Sequence, residues 1–161
     1  MEHLIHPWGP IVSPGSRILI LGSFPSVKSR EVSFFYGHPQ NRFWPMLAAV
    51  FGEEIPRTIP EKTDLVLRHR LALWDAIGEC DITGSSDASV KNAHPVDIAR
   101  VTDTARIERV LCNGALSGRL YEKHLRPILG LEAAVMPSTS PANAAWQLDR
   151  LICFWSPHLQ L

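Results

Sequence analysis

The run Arg17-Ile18-Leu19-Ile20-Leu21-Gly22 constrains the fold more than any other stretch. Its aliphatic side chains follow one another without alternation, and a glycine closes it. A strand that is apolar on both faces belongs inside a sheet covered on each side, the situation of parallel strands flanked by helices. Three further apolar runs follow: Leu71 to Ile77, closed by Gly78; Glu108 to Asn113, followed by Gly114; and Leu131 to Met136, closed by Pro137.

Helical stretches lie between them. Phe43 to Phe51 has helical spacing and ends at Gly52. Pro45 fixes its start, because proline is tolerated only in the first turn, where amides have no helical partner. The helix is therefore predicted to begin close to Asn41 or Arg42. Shorter helices are expected over 62–70 and 96–106, and one over 115–125 that stops before Pro127. Ser140 is predicted to cap a last helix, with Pro141 at its first position, running to about Trp155. Strand and helix alternate about four times, which predicts an α/β sandwich on a mainly parallel sheet.

One domain spanning 1–161 is expected from the length. Residues 1–16 read as an irregular lead-in pinned by Trp8, Ile11 and Val12. The segment 53–63 reads as a surface connection, and 79–95 as a long polar loop of the kind that is functional or disordered.

Lysine plus arginine balances aspartate plus glutamate at 16 each, so any nucleic-acid contact must come from a local patch. No apolar run reaches the roughly 18 residues of a membrane span, and the first residues lack the plan of a signal peptide. Cys80, Cys112 and Cys153 are far apart and form no Cys-x-x-Cys pair, which suits reduced thiols in the cytoplasm. His3 and His6 make a weak metal pair, and no metal site is expected. Nucleophile-elbow, phosphate-loop and zinc-helix motifs are absent.

Ligands of open parallel sheets bind beyond the carboxyl ends of the strands. Those ends are Gly22-Ser23-Phe24-Pro25-Ser26, Asp75, Asn113-Gly114 and Pro137-Ser138-Thr139-Ser140-Pro141. Two readings are open at each candidate. Asn41 orients a water or binds a base edge, or it caps a helix. Tyr36 stacks on a flat ligand, or it packs at the core rim, while Phe35 beside it packs. His38 is a base, a phosphate contact or a turn residue. Asp75 accepts from a base edge or braces a loop. Asn113 reads a base or forms a turn. Ser138, Thr139 and Ser140 hold phosphate oxygens or cap a helix. Phe43 and Trp44 read as core.

The blocks Gly22-Ser23-Phe24-Pro25-Ser26, Tyr36-Gly37-His38-Pro39-Gln40-Asn41-Arg42-Phe43-Trp44 and Pro137-Ser138-Thr139-Ser140-Pro141-Ala142-Asn143 resemble the uracil-DNA glycosylase superfamily, and within it the hypoxanthine-DNA (deoxyinosine) glycosylase branch. The resemblance implies a three-layer α/β/α sandwich with a central four-stranded parallel sheet. It implies monofunctional hydrolysis of the N-glycosidic bond of deaminated bases in DNA, hypoxanthine first and then uracil or xanthine, with no cofactor and no metal. Asn41 is the implied catalytic residue, since the first block carries neither Asn nor Asp. Gly22, Ser23, Phe24, Tyr36, Asp75 and Asn113 are implied base contacts, with Tyr36 stacked on the base. Ser138, Thr139 and Ser140 are implied DNA-backbone contacts, and Lys28, Arg30, Arg42 and Lys91 form a candidate basic rim. Met136 stands where uracil-removing relatives carry a histidine that steadies the leaving anion. A cytoplasmic monomer acting on DNA is expected. The alternative is a reader of damaged DNA, or a nucleotide-binding module, that cleaves nothing.

Overall fold

A computed structural model describes residues Met1–Leu161. Four strands, β2 (Ile18–Gly22), β3 (Leu71–Asp75), β6 (Arg109–Asn113) and β7 (Ala133–Met136), form one sheet in the order β3-β2-β6-β7. Every pairing in it is parallel. All five residues of β2 and all five of β3 are buried, as runs without alternation require. Helices α1 (Val27–Val32), α2 (Phe43–Val50), α3 (Ile59–Arg68), α4 (Ala99–Thr102), α5 (Ala115–Leu120), α6 (Arg126–Leu129) and α7 (Leu148–Trp155) flank this sheet. A single core of aliphatic strand residues joined by Phe34, Phe35, Phe43, Trp44 and Trp155 holds the layers together.

Chain order and sheet order diverge at one place. From β2 the chain crosses to β3 on one side, and from β6 it crosses to β7 on the other. The carboxyl ends of β2 and β6 thus border a topological switch point, where an open sheet leaves a crevice.

Local chemistry accounts for the helix ends. In α2, Pro45 is the third helical residue, so its missing N–H costs no bond, and the first ladder bond runs from Met46 N–H to the Arg42 carbonyl at 2.9 Å. Ser26 Oγ caps α1 by accepting from Ser29 N–H at 3.1 Å. Thr58 and Glu61 form a reciprocal cap on α3, with the Thr58 hydroxyl accepting from Glu61 N–H and donating to its carboxylate.

Seven sequence expectations about the elements are corrected. The lead-in is not wholly irregular: β1 (Glu2–Ile5) pairs antiparallel with β4 (Ile77–Ile82), which pairs with β5 (Lys91–Pro95) in a second, three-stranded sheet. β1 and β5 are mostly exposed, and β4 buries only Ile77, Cys80 and Ile82 in a small cluster of its own, so none of the three forms a continuous apolar run. Much of the 79–95 loop is therefore a hairpin with its tip at 83–90. Strand β3 stops at Asp75, and Ile77 already belongs to β4. The helix of 96–106 shrinks to the single turn of α4, and α3 starts three residues early at Ile59.

The helix after Gly114 does not stop before Pro127. It widens into a π-turn over Tyr121–Leu125 and continues to Leu129, ending where Gly130 takes φ +72°. A widened turn accommodates a proline that an α-helical ladder would reject.

No helix begins at Ser140. Residues 140–147 are turns, and α7 starts at Leu148. The cause is Arg42. Its guanidinium takes the carbonyls of Thr139, Ser140, Asn143 and Trp146, acceptors that a helical ladder would have needed.

Candidate active site

The parallel register sets the strand ends side by side: Gly22 against Asp75, Leu21 against Cys112, and Asn113 against Met136. Beyond them opens a cavity of about 820 Å³, lined by Asn41 and all nine implied base and backbone contacts but not by His38 or the candidate rim cations. The volume falls within the roughly 300–1,000 Å³ range of small-molecule sites.

The floor is close-packed around Gly22. A Cβ there would lie 2.3 Å from Asp75 Oδ1 and 3.2 Å from the Tyr36 hydroxyl. Only glycine lets these two polar atoms converge on one point. Asp75 is buried, and its Oδ2 is 2.7 Å from Nε2 of His6, whose side chain is equally buried. His6 follows β1 directly, and its N–H donates to the Gly78 carbonyl at 2.7 Å.

Tyr36 has φ +53°, a left-handed conformation that costs a bulky residue about 1–3 kcal/mol. Gly37 docks the turn by donating its N–H to Ser29 Oγ at 2.9 Å, and Val32 and the Ser29 backbone leave no room there for a side chain. One face of the Tyr36 ring stacks on Phe43, with centroids 4.2 Å apart. Its hydroxyl is buried without a hydrogen-bond partner, as is Trp8 Nε1, and both residues line the cavity. Burial, reinforced by the Asp75 carboxylate, pushes the Tyr36 phenol far up from its ordinary pKa.

Asn41 lies just before α2. Its Oδ1 accepts from Phe43 N–H at 2.9 Å, while its Nδ2 donates to no protein atom. The residue therefore steadies the helix start and still presents amide hydrogens at the cavity wall. His38 forms part of the turn, its Nδ1 accepting from Gln40 N–H at 3.0 Å.

The opposite wall is the 137–140 loop. Asn113 grips it with both ends of its carboxamide: Nδ2 donates to Thr139 Oγ1 and Oδ1 accepts from Thr139 N–H, each at 3.0 Å. Thr139 is fully buried, so it anchors the loop and is withheld from any phosphate. Ser138 and Ser140 remain partly exposed, with Ser138 Oγ accepting from Ser140 N–H and Ser140 Oγ from Ala142 N–H. Arg42, expected on a basic rim, is instead turned inward onto the loop's carbonyls. Met136 lies buried at the end of β7 and lines the cavity.

The third side is the tip of the β4–β5 hairpin. Ser23 Oγ donates to Asp87 Oδ1 at 3.3 Å, and Val27 N–H donates to Ser85 Oγ at 2.8 Å. Asp87 is exposed, and partial loss of solvent beside the cavity raises its carboxyl above the usual value against the opposing effect of the Ser23 hydroxyl. Phe24 packs edge-on to His6 with the Arg30 guanidinium over its ring.

Sequence reasoning did not place His6, Trp8, Ser85 or Asp87 at the site; His6 entered only as half of a weak metal pair and Trp8 as a pin of the lead-in. His6 and Trp8 sit in a segment without periodicity, and the hairpin tip carries no motif. The only signal at His6 was an apolar-flanked histidine followed by proline and tryptophan. Of the thiols, Cys80 and Cys112 are buried and Cys153 is exposed; burial pushes Cys112 up to about 11, which makes it a poor nucleophile at neutral pH.

No family model matches this chain. Its architecture does match that of the DNA glycosylases: a solution NMR structure of a protein assigned as a uracil DNA glycosylase, from Methanosarcina acetivorans, superposes with a TM-score of 0.78 at 27% identity, covering 94% of this chain and 96% of that one. Two curated relatives define the branch. The hypoxanthine DNA glycosylase of Methanosarcina barkeri is 32% identical over 136 residues, 83% of this chain and 85% of the relative. That of M. acetivorans is 33% identical over 142 residues, 87% of this chain and 89% of the relative. The chain thus belongs to the hypoxanthine DNA glycosylase family.

Proposed function

We propose that this chain hydrolyses the N-glycosidic bond of hypoxanthine in DNA, with Asn41 positioning the attacking water. The observation that carries this reading is the arrangement around Asn41. A carboxamide fixed by Phe43 N–H, with its Nδ2 hydrogens free, faces the same cavity as the Tyr36 ring and the strand ends.

A base inside a duplex cannot reach such a cavity, so it is first extruded, at a cost of a few kcal/mol that is least for mispaired bases. The flipped base then enters with its edge toward the hydroxyl of Tyr36, whose ring is held by stacking on Phe43. Ser23 and Phe24 border it at the end of β2, and Asp75 accepts from its edge. Asn41 holds a water against the sugar C1′. The C1′–N9 bond breaks with its electron pair leaving on the purine, the water oxygen bonds to C1′, and the water's proton passes to solvent while the purine takes one up. Positive charge on the sugar in the transition state is stabilised by the neighbouring phosphates, which Ser138 and Ser140 hold. Asn113 and Thr139 act as anchors of that loop. The absence of lysine from the cavity lining supports a monofunctional enzyme, because no amine is at hand to form an imine with the sugar. With apolar Met136 in the wall, uracil, whose departure needs a stabilised anion, is the poorer substrate. In this reading the enzyme acts as a monomer in the cytoplasm, where Cys80 and Cys112 stay buried as free thiols.

The test is incubation with labelled duplexes carrying one deoxyinosine, deoxyuridine or deoxyxanthosine, followed by alkali. Cleavage at deoxyinosine only after alkali is the expected result. Tight binding to the deoxyinosine duplex without release would make the chain a reader of damaged DNA.

A further inference from the structure

His6 lies outside every motif discussed above, yet it is the sole protein partner of the Asp75 carboxylate. The hydrogen bonds around it fix its tautomer. Its Nδ1 accepts from Trp8 N–H at 3.3 Å, so the ring proton sits on Nε2 and donates to Asp75 Oδ2 at 2.7 Å. Four aromatic rings, Trp8, Phe24, Phe35 and Trp74, surround the imidazole and keep it in place. Delivery of His6 depends on the second sheet, since β1 leads straight into it and Gly78 holds its backbone.

With Oδ2 engaged, Oδ1 of Asp75 receives no hydrogen bond from the protein. Beside it, converging on the same point over Gly22, is the unpartnered hydroxyl of Tyr36. An acceptor at the cavity floor next to a buried donor, neither used by the protein, is a pair that a ligand can complete. Its complement is a donor next to an acceptor: the N1–H and O6 of a lactam. Hypoxanthine presents that edge. Adenine presents the reverse, an N1 lone pair beside an amino group, and its lone pair would face the carboxylate. Deamination is the change from the second pattern to the first.

We propose that His6 is a positioning residue for substrate selection: it holds Asp75 so that Oδ1, with the Tyr36 hydroxyl, reads the lactam edge of a deaminated purine. This rests on the glycosylase reading and names what that site selects.

The experiment compares kcat/KM on duplexes carrying deoxyinosine or deoxynebularine, whose purine lacks both O6 and N1–H. His6→Leu removes the donor to Asp75. His6→Gln replaces it with an amide N–H at similar reach. His3→Ala, on the exposed part of β1, is the control. The expected result is a deoxyinosine preference that falls at least tenfold in H6L, recovers most of that loss in H6Q, and is unchanged in H3A. Equal slowing on both substrates by H6L, with the ratio intact, would mean a merely structural histidine and would overturn the proposal. A second measurement needs no turnover: ¹⁵N spectra of the imidazole should show the Nε2–H tautomer in the free protein, and an Nδ1–H ring would equally overturn it. The two readings fail differently. No release from any duplex defeats the glycosylase reading, whereas release of hypoxanthine with an unaltered ratio defeats only this one.

Discussion

Asn41 serves two ends, and they can be separated by measurement. Its Oδ1 satisfies Phe43 N–H at the start of α2, and its Nδ2 is uncommitted at the cavity wall. Asn41→Ala should cost about 1 kcal/mol of stability through the lost cap. It should also cut base release at least a hundredfold, the lower range for losing a group that positions a reactant in proton transfer. Denaturant unfolding and single-turnover assays with deoxyinosine duplexes check the two effects, while DNA affinity should stay within a few-fold of wild type. Release lowered only in proportion to the fraction folded would leave Asn41 as a cap. Asn41 and Gly22 were legible in the sequence because each role is set by near neighbours: a proline four residues on, or the end of an apolar run. His6 was not legible, because its partner Asp75 is 69 residues away and reached only through a strand pairing with no apolar signature. Arg42 was misjudged for a related reason. A guanidinium in a motif reads as a phosphate contact, and nothing local reveals four carbonyls arriving from about a hundred residues downstream.

At the scale of elements, the strand–helix alternation was readable because long apolar runs dominate it, whereas the second sheet and the 140–147 turns depend on polar contacts between distant segments. Arg42 is the clearest case. Arg42→Ala removes several charge-assisted bonds at once and should destabilise the protein by about 2 kcal/mol or more, since bonds to charged groups contribute roughly 1.5–3 kcal/mol each and are not additive. Amides from 139 to 147 should lose hydrogen-exchange protection before those of β2. Uniform loss across both would mean that Arg42 supports the whole core instead of the loop. A second clamp joins the end of α2 to the end of α3. Glu53 binds the His69 ring, which stacks on Phe51, and also binds Arg68. The His69 hydrogen bond, then that of Arg68, lowers the Glu53 carboxyl below its ordinary value of 4.5. A depressed carboxyl binds fewer protons folded than unfolded, so it stabilises fully above its unfolded pKa and progressively less as pH falls through the folded one. Thermal melts of wild type and Glu53→Gln should therefore differ at pH 7, and the gap should shrink as acidification passes below that ordinary carboxylate pKa. A gap that does not shrink on acidification would point to packing instead of charge.

Across the whole molecule, the two sheets divide the work. The parallel sheet ends at a switch point and supplies Gly22 and Asn113, while the antiparallel sheet places His6 behind Asp75 and brings the 83–90 tip to the cavity wall. Charge shows a comparable economy. The net charge is zero. Of the cations expected to form a rim, Arg42 is bound to loop carbonyls, Lys28 pairs with Glu31 at 3.3 Å, and Arg30 donates to the Pro25 and Gly84 carbonyls. Lys91 stands exposed on β5. Of that rim, Lys91 and the exposed Lys28 are the cations best placed to displace counterions from DNA. Each neutralised phosphate contributes about −0.9 to the slope of log K against log salt, so two or three contacts predict a slope of about −2 to −3. Fluorescence anisotropy of a labelled duplex from low to physiological salt measures it. A slope of −6 or steeper would demand cations beyond this rim, and a slope near zero would remove the phosphates from the interface. A shallow slope has a functional corollary: affinity for undamaged DNA stays low, and discrimination falls to the cavity, where a base must first leave the stack to be read.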